Sequence, residues 1–192
     1  RDVERSRGLG DVYKRQFAMS ANNGFAQSGE TGLKDAYKDY FSIGVAVNMR
    51  NIANPEQIAI IKKDFNSITA ENDMKPQPTE PAYGQFNWEN ADKIANFCRS
   101  NGIKLRGHCL MWHAQIGEWM YKDEKGDFVS KEKLFQNMKH HITAIVERYK
   151  DVIYAWDVVN EAISDGGWQG GRRGMGEQPS PYRNSPPLSD CR

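Results

Sequence analysis

The 192-residue sequence lacks several features that would assign it to a class at once. No stretch approaches the roughly 18 apolar residues of a membrane-spanning helix, so we expect no membrane partner. The 26 Lys and Arg nearly balance the 25 Asp and Glu, and no basic block marks a nucleic-acid-binding surface. Three cysteines, an odd number, exclude a small disulfide-stapled domain. With 39% hydrophobic residues, the chain is long enough for a sizeable globular core.

The two ends of the sequence differ from its middle. Residues 1–16 and 170–192 each carry a net charge of +2, which leaves −3 for the residues between them. Neither end shows hydrophobic periodicity, and a solvated or foreign segment is a better interpretation of such charge than a nucleic-acid arm. We therefore interpret 1–16 as a non-native lead and 186–192 as a non-native tail. The segment 17–32 is either a signal-peptide remnant or a linker.

The middle alternates short apolar runs with amphipathic stretches. The runs typical of buried strands are 41–47, 67–70, 103–110 and 152–159. A helix is predicted after Asn54 and Pro55, which suit its cap and first position, and another from about 90 to 101, ended by Gly102. A third, long helix carries an apolar stripe formed by Leu134, Met138, His141, Ile145 and Tyr149.

Repeated strand–helix units indicate a parallel sheet, either doubly wound or closed into a (β/α)8 barrel. No glycine-rich turn opens any of the helices, so the signature of the doubly wound dinucleotide-binding form is missing. Polar residues instead gather where the strands end, as on the upper rim of a barrel. A closed barrel needs eight strands, and four are visible. The predicted fold class is thus α/β, a (β/α)8 TIM barrel truncated to about its first four βα units.

Glu161 is the first candidate for chemistry. It follows Asn160 directly beyond an apolar strand, where a carboxylate would project into a rim pocket beside Trp156 or other aromatic residues. Such surroundings raise the pKa of a carboxyl group, as a general acid requires at neutral pH. The alternative is that Glu161 has no catalytic role and lies at the start of a helix, where the helix dipole favours a carboxylate.

A second polar group follows the second strand. Glu71, Asn72 and Lys75 offer donors and acceptors of hydrogen bonds, which suits a ligand with many hydroxyl groups. The alternative is a surface salt bridge between Glu71 and Lys75 within a turn.

The third strand ends in a run that contains His108, Trp112 and His113, followed by Gln115. No second ligand motif accompanies the two histidines, so we expect no metal site and no cofactor. In the long helix, His141 is expected to face the core and His140 the solvent. Of the five tryptophans, Trp88 and Trp156 suit core packing, and aromatic residues in rim loops suit a sugar ring.

Four motifs resemble the family 10 glycoside hydrolases, the endo-1,4-β-xylanases. They occur in the family's order and at similar spacing: FSIGVAVN (41–48), FNSITAENDMKP (65–76), LRGHCLMWHAQ (105–115) and YAWDVVNEA (154–162). The resemblance covers 33–185, interpreted as the N-terminal part of the family's catalytic barrel. It implies a retaining barrel enzyme that cleaves the main chain of xylan.

The resemblance also implies roles for individual residues. Glu161 matches the general acid/base, and Asn160 matches the residue that binds the sugar 2-hydroxyl at the bond being cut. The residues that match the surroundings of the sugar at the cleavage point are His108, Trp112, His113 and Gln115. The residues that match those gripping the sugars on the non-reducing side are Glu71, Asn72 and Lys75. The loop differs from the family's usual pattern at Ala114 and at Ile116-Gly117.

The nucleophile that retaining hydrolysis requires is absent from this chain. The family carries it in a Thr-Glu-x-Asp motif on the seventh strand. None of the carboxylates that follow Glu161, namely Asp165, Glu177 and Asp190, stands in that context. We therefore expect the chain alone to be inactive and poorly folded, because a half barrel leaves strand edges unpaired.

Three alternatives remain open for the activity: a β-glucan-active glycosidase on the same barrel, a carbohydrate-binding relative that has lost catalysis, or a metal hydrolase. The intact Glu161 argues against the second. We expect a monomer with no partner other than its xylan or xylo-oligosaccharide substrate. Because xylan is too large to enter a cell, we expect the protein to be secreted or periplasmic.

Overall fold

The computed structural model describes residues 31–163. In chain order their elements are α1 (Leu33–Ala36), β1 (Gly44–Val47), a 3-10 helix (Asn51–Ala53), α2 (Pro55–Asp64), β2 (Ser67–Ala70), α3 (Pro76–Thr79), α4 (Glu89–Asn101), β3 (Lys104–Trp112), a second 3-10 helix (Glu118–Met120), α5 (Lys131–Tyr149) and β4 (Ile153–Asn160). The interpretations of 1–16 and 186–192, and almost all of that of 17–32, fall outside the described residues.

The four strands form one parallel sheet whose spatial order, β1-β2-β3-β4, follows the chain order. A doubly wound sheet reverses direction at a switch point, whereas a barrel adds each strand beside the one before it. The observed order therefore confirms the barrel architecture predicted from the sequence, with four of its eight strands present among the described residues.

Local sequence signals fix the helix ends. The Asn54 side chain accepts hydrogen bonds from the backbone N–H groups of Glu56 and Gln57, and Pro55 occupies the first position of α2. Gly102 ends α4 with φ = +64°, a left-handed conformation that glycine adopts without a steric penalty. Both caps agree with the prediction.

The predicted strand bounds differ from the observed ones by one residue at both ends of β4 and at the start of β3, and by more at the start of β1 and the end of β3. β1 begins at Gly44 rather than at residue 41, because its partner β2 has only four residues and pairing starts at Gly44 and Ser67. β3 continues two residues beyond the predicted end, since β4 pairs with it as far as Trp112 and Asn160. Trp112 is therefore a strand residue and not part of the following loop.

One face of the sheet packs against α2, α4 and α5 to form the core. Its buried residues include the strand residues Val47, Ile68 and Leu105 and the helix residues Ile61, Ala91, Ile94, Ala95, Cys98, Ile145 and Tyr149. The four buried residues of α4 form its inward face. Burial raises the pKa of the Cys98 thiol to about 12 and that of Cys109 to about 11. Both cysteines are free.

The opposite face of the sheet bears polar and exposed side chains. Along β3, Leu105 and Gly107 are buried while Arg106 is exposed and His108 is partly exposed, which is the period-two alternation of a strand. Tyr154 of β4, whose ring lies near Lys104 on this face, is 55% exposed. Within residues 31–163 no helix combines the length and the apolar character needed to cross a bilayer.

Candidate active site

The predicted site residues lie at the carboxyl-terminal ends of the strands. Val47 pairs with Ala70, and Trp112 pairs with Asn160, so neighbouring strands end side by side. Parallel strands therefore carry the polar residues that follow them to one edge of the sheet.

Lys75 is held in the centre of this edge. It is only 7% exposed, and its Nζ donates a hydrogen bond to Oδ1 of Asn72 at 2.9 Å. The same oxygen accepts a second hydrogen bond from Nε2 of Gln115 at 3.3 Å. The ammonium group also lies 4.3 Å from the centre of a Trp112 ring, within the range of a cation–π interaction. These contacts bring together residues from the loops after β2 and β3.

Glu71 does not pair with Lys75 as the salt-bridge alternative supposed. Its Oε2 accepts a hydrogen bond from Nδ2 of Asn48, which follows β1, at 2.8 Å. Glu71 is exposed. The carboxylate and the ammonium are therefore not neutralised by each other at this edge of the sheet.

The carboxylate of Glu161 lies against two aromatic side chains of the third strand and its loop. Its Oε2 accepts a hydrogen bond from Nε1 of Trp112 at 3.0 Å and lies 3.7 Å from Nε2 of His113. The side chain remains 45% exposed, and the backbone has φ = +52°. The indole therefore orients the carboxylate while leaving it accessible from solvent.

Trp156, the aromatic neighbour of Glu161 named from the sequence, instead packs on the core side of β4. It lies across Gly107, its register partner in β3. The tryptophan beside Glu161 is Trp112, which comes from the neighbouring strand.

His108 is placed by a carboxylate that the sequence analysis did not single out. Its Nδ1 lies 3.0 Å from Oδ2 of Asp157, and the guanidinium of Arg106 bonds the other carboxylate oxygen. Partial burial would raise the pKa of Asp157, but the hydrogen bonds from Arg106 and His108 outweigh it and hold the pKa below its usual range. The sequence contains a signal for this contact, because the charged residues Arg106 and Asp157 interrupt two otherwise apolar strands.

The structure confirms part of what the sequence predicts for the other aromatic and histidine residues. Trp88 stacks on Phe86 and packs against the core, as expected. His141 is fully buried, also as expected. His140 is not simply solvent-facing: it is 33% exposed and stacks on Tyr83 at 4.5 Å. Trp168 lies outside the described residues. No group of three or more potential metal ligands occurs within 31–163.

Comparison with known proteins identifies the family. The profile of Glycosyl hydrolase family 10 matches residues 32–184. An endo-1,4-beta-xylanase/feruloyl esterase of Xylanibacter ruminicola is 61% identical over 136 residues, which are 71% of this chain and 19% of that protein. Endo-1,4-beta-xylanase A of Thermotoga maritima is 45% identical over 73% of this chain and 14% of its own length.

Solved structures of xylanases also resemble this chain in sequence and in fold. A psychrophilic family 10 endo-beta-1,4-xylanase is 67% identical, with a TM-score of 0.73 over 81% of this chain and 46% of its own. An intracellular xylanase of Thermoanaerobacterium saccharolyticum, solved as a mutant in complex with xylotriose, is 36% identical with a TM-score of 0.66, over 72% of this chain and 46% of its own. The chain thus spans less than half the length of these relatives, and it belongs to glycosyl hydrolase family 10.

Proposed function

We propose that the protein to which this chain belongs is a retaining endo-1,4-β-xylanase that cleaves internal bonds of xylan or xylo-oligosaccharides. The observation that carries the proposal is the series of contacts from Lys75 through the Trp112 indole to Glu161. It places a candidate proton donor directly beside residues suited to gripping a sugar. Two relatives that share the sequence of this region are named as endo-1,4-beta-xylanases.

Glu161 acts first as general acid and then as general base in this proposal. It protonates the glycosidic oxygen as the leaving sugar departs, and later removes a proton from the attacking water. The hydrogen bond from Trp112 fixes one carboxylate oxygen, and the exposure of the side chain allows contact with a long polymer. Asn160, next to Glu161, binds the sugar 2-hydroxyl.

The residues around Lys75 bind the sugars on the non-reducing side of the cleaved bond. Lys75 donates hydrogen bonds to hydroxyl groups, Glu71 accepts them, and Asn72 and Gln115 do both. The Trp112 ring offers an apolar surface to the C–H face of a pyranose. His108, held by Asp157, and His113 line the cleavage point.

We also propose that the 192-residue chain alone does not hydrolyse xylan. A retaining mechanism needs a second carboxylate about 5–5.5 Å from the acid/base to attack the anomeric carbon. The carboxylates after Glu161, at Asp165, Glu177 and Asp190, lie outside the described residues and outside a Thr-Glu-x-Asp context. Reducing-sugar release from xylan by the purified chain, at enzymatic rates, would contradict this.

The test of the function uses a complete barrel, made by joining residues 32–163 to the C-terminal part of the 67% identical psychrophilic xylanase (the joined barrel). We expect it to hydrolyse xylan. Glu161→Gln should lower kcat by about 10²–10⁴-fold, because it removes the general acid/base while keeping the shape of the side chain. Glu147→Gln is the matched control, since Glu147 is an exposed carboxylate on α5 that pairs only with Lys150 among the described residues.

Three other outcomes would change the assignment. Full activity of the Glu161→Gln variant would remove Glu161 from the chemistry. A preference for carboxymethylcellulose over xylan would favour a β-glucan-active enzyme. Binding of xylan without hydrolysis by the joined barrel would favour a carbohydrate-binding relative.

We propose that the protein is exported from the cell. Xylan is too large to enter a cell, so an enzyme that cleaves it must work outside the cytoplasm. Immunodetection of the protein in the culture medium or periplasm supports this. Retention in the cytoplasm would contradict it and would resemble the xylanase of Thermoanaerobacterium saccharolyticum that is described as intracellular.

A further inference from the structure

A fully buried carboxylate lies behind the candidate site, at the end of α3. Glu80 is 0% exposed, and its Oε1 accepts a hydrogen bond from the backbone N–H of Gly84 at 2.8 Å. Its Oε2 lies 2.9 Å from Nδ1 of His141, which is also 0% exposed. Nε2 of His140 also lies 3.1 Å from Oε1, although it does not form a hydrogen bond with it. Burying a carboxylate is costly without such partners. Glu80, His140 and His141 therefore act as one unit, the Glu80 cluster.

The surroundings of His141 assign its proton. Its Nε2 is buried and has no hydrogen-bond partner among residues 31–163. A proton on that nitrogen would be left unsatisfied, whereas a proton on Nδ1 meets the carboxylate of Glu80. His141 therefore donates to Glu80, and this hydrogen bond joins α5 to the loop after β2.

The Glu80 cluster is tied to the loop that carries Lys75. Glu80 follows α3, and the hydroxyl of Thr79 on that helix donates a hydrogen bond to the backbone carbonyl of Lys75 at 2.8 Å. Lys75 is the residue that immediately precedes α3. A shift of Glu80 would therefore be transmitted over a single turn of helix to the base of the Lys75 side chain.

The cluster is also tied to the loop that carries Gln115. The backbone carbonyl of Glu80 accepts a hydrogen bond from Nε1 of Trp119 at 2.9 Å. Asn137 of α5 donates to the backbone carbonyl of Trp119 at 3.1 Å. Between the loops, the backbone N–H of Gln77 donates to the carbonyl of Gln115 at 2.8 Å. Both loops are thus fastened to α5 and to each other.

We infer that Glu80 and His141 are positioning residues for sugar binding. They hold α3 and Trp119 against α5, and thereby fix Lys75 and Gln115 at the distances from which both contact Asn72. The inference rests on the proposed function, because it is there that these residues grip the substrate. Neither positioning residue needs to touch the sugar itself.

The test compares kinetic constants of the joined barrel on xylohexaose. We expect Glu80→Ala and His141→Ala to raise KM by roughly tenfold or more while kcat changes little, because contacts made equally to substrate and transition state are lost. His141→Asn, whose amide nitrogen replaces Nδ1, should restore most of the binding. Tyr149→Phe is the control: it removes a partly buried hydrogen bond, to Asp92, at the last residue of α5.

A purely structural role predicts a different pattern. It would lower the thermal midpoint and the yield of folded enzyme, with KM of the folded fraction unchanged and no restoration of KM by His141→Asn. That result would overturn the inference. If the alanine variants do not fold, Glu80→Gln and His141→Asn decide between a positioning role and a purely structural one. Glu80→Gln keeps the size of the side chain, and His141→Asn keeps part of its hydrogen bonding.

A spectroscopic measurement separates this inference from the proposed function. The indole N–H of Trp112 contacts Glu161, and its ring lies beside Lys75, so its NMR resonance reports the geometry of the site without catalysis. Glu80→Gln should shift the indole resonances of both Trp119 and Trp112. A shift at Trp119 alone would overturn the inference, even in an active enzyme. An inactive joined barrel that shows both shifts would refute only the proposed function.

Discussion

At the scale of single residues, Gly107 leaves the space that a neighbouring indole fills. A Cβ atom at this position would lie 2.1 Å from Cε3 of Trp156, far inside van der Waals contact. Gly44, in β1, offers a contrast: an added Cβ there would meet Ser67 at 3.7 Å, an ordinary contact. The two glycines therefore differ in how much an added methyl group would lower the free energy of unfolding.

Gly107→Ala should destabilise the joined barrel by about 1–3 kcal/mol, because the Trp156 ring must leave its place against the core. Gly44→Ala, the matched control, should change the free energy of unfolding by less. Urea unfolding followed by circular dichroism measures both. Equal effects of the two substitutions would show that the Trp156 ring moves at no cost.

The sequence identified the residues at the strand ends but missed those that position them. Glu161, Lys75 and Trp112 lie within the sequence motifs at or beyond the ends of apolar runs, where a local pattern predicts them. Asp157 and Glu80 act through partners 49 and 61 residues away in the chain. Spacing along one chain contains no information on such pairs until the strand register and the helix packing are known.

At the scale of elements, α4 and α5 are joined by a polar cluster at their ends. Nε of Arg148 donates to Oδ1 of Asp92 at 2.9 Å, and the hydroxyl of Tyr149 donates to the same oxygen at 2.9 Å. The hydrogen bonds from Arg148 and Tyr149 hold the pKa of Asp92 below its usual range, although burial acts in the opposite direction. The ionised carboxylate therefore favours the packed arrangement of the two helices.

This pKa shift predicts how stability depends on pH. A carboxyl whose pKa is lower in the folded than in the unfolded state stabilises the fold above the unfolded value, about 3.9, and loses that contribution as pH falls through the folded value. Asp92→Asn should therefore lower the urea midpoint of the joined barrel at about pH 7 and have little effect at about pH 2. Glu147→Gln, at an exposed ion pair on α5, is the control. An Asp92→Asn effect that is equal at both pH values would contradict the prediction.

Helix ends were more predictable than strand ends, for a physical reason. Asn54 and Gly102 determine their caps through contacts within a few residues, so the sequence alone specifies them. The extent of β1 and β3 depends on how far β2 and β4 run alongside them. The length of a strand thus depends on the strand it pairs with. A prediction made from each segment alone therefore gave wrong bounds for β1 and β3.

At the scale of the whole molecule, β4 is an edge strand of the sheet within the described residues. Tyr154, Val158 and Val159 on it are 55%, 57% and 44% exposed. An edge strand with unpaired backbone groups and apolar side chains is a template for pairing with another chain. The full family barrel has a fifth strand to cover such an edge.

We therefore expect the 192-residue chain to self-associate at micromolar concentrations, whereas the joined barrel should be a monomer. Val158→Lys should reduce association of the chain, because a charge on the edge strand opposes intermolecular pairing. Lys substitution at the exposed Ile60 of α2, away from this edge, is the control. Sedimentation velocity measures all four proteins, and a monodisperse monomeric chain would contradict the prediction.

The barrel architecture was predictable because it depends on the order of strands and helices along the chain rather than on individual side-chain contacts. Apolar runs alternate with amphipathic helices, and the absence of a glycine-rich turn removed the doubly wound alternative. What the pattern could not supply was the pairing of Trp112 with Glu161 across two strands, which depends on the register at Trp112 and Asn160.

The agreement between strand order and chain order has a consequence for how the protein is made. Each strand pairs with the one that precedes it in the chain, so a nascent polypeptide can add βα units one after another as they leave the ribosome. During synthesis, the residues proposed to bind the sugar would therefore be assembled while the remainder of a longer protein was still being translated.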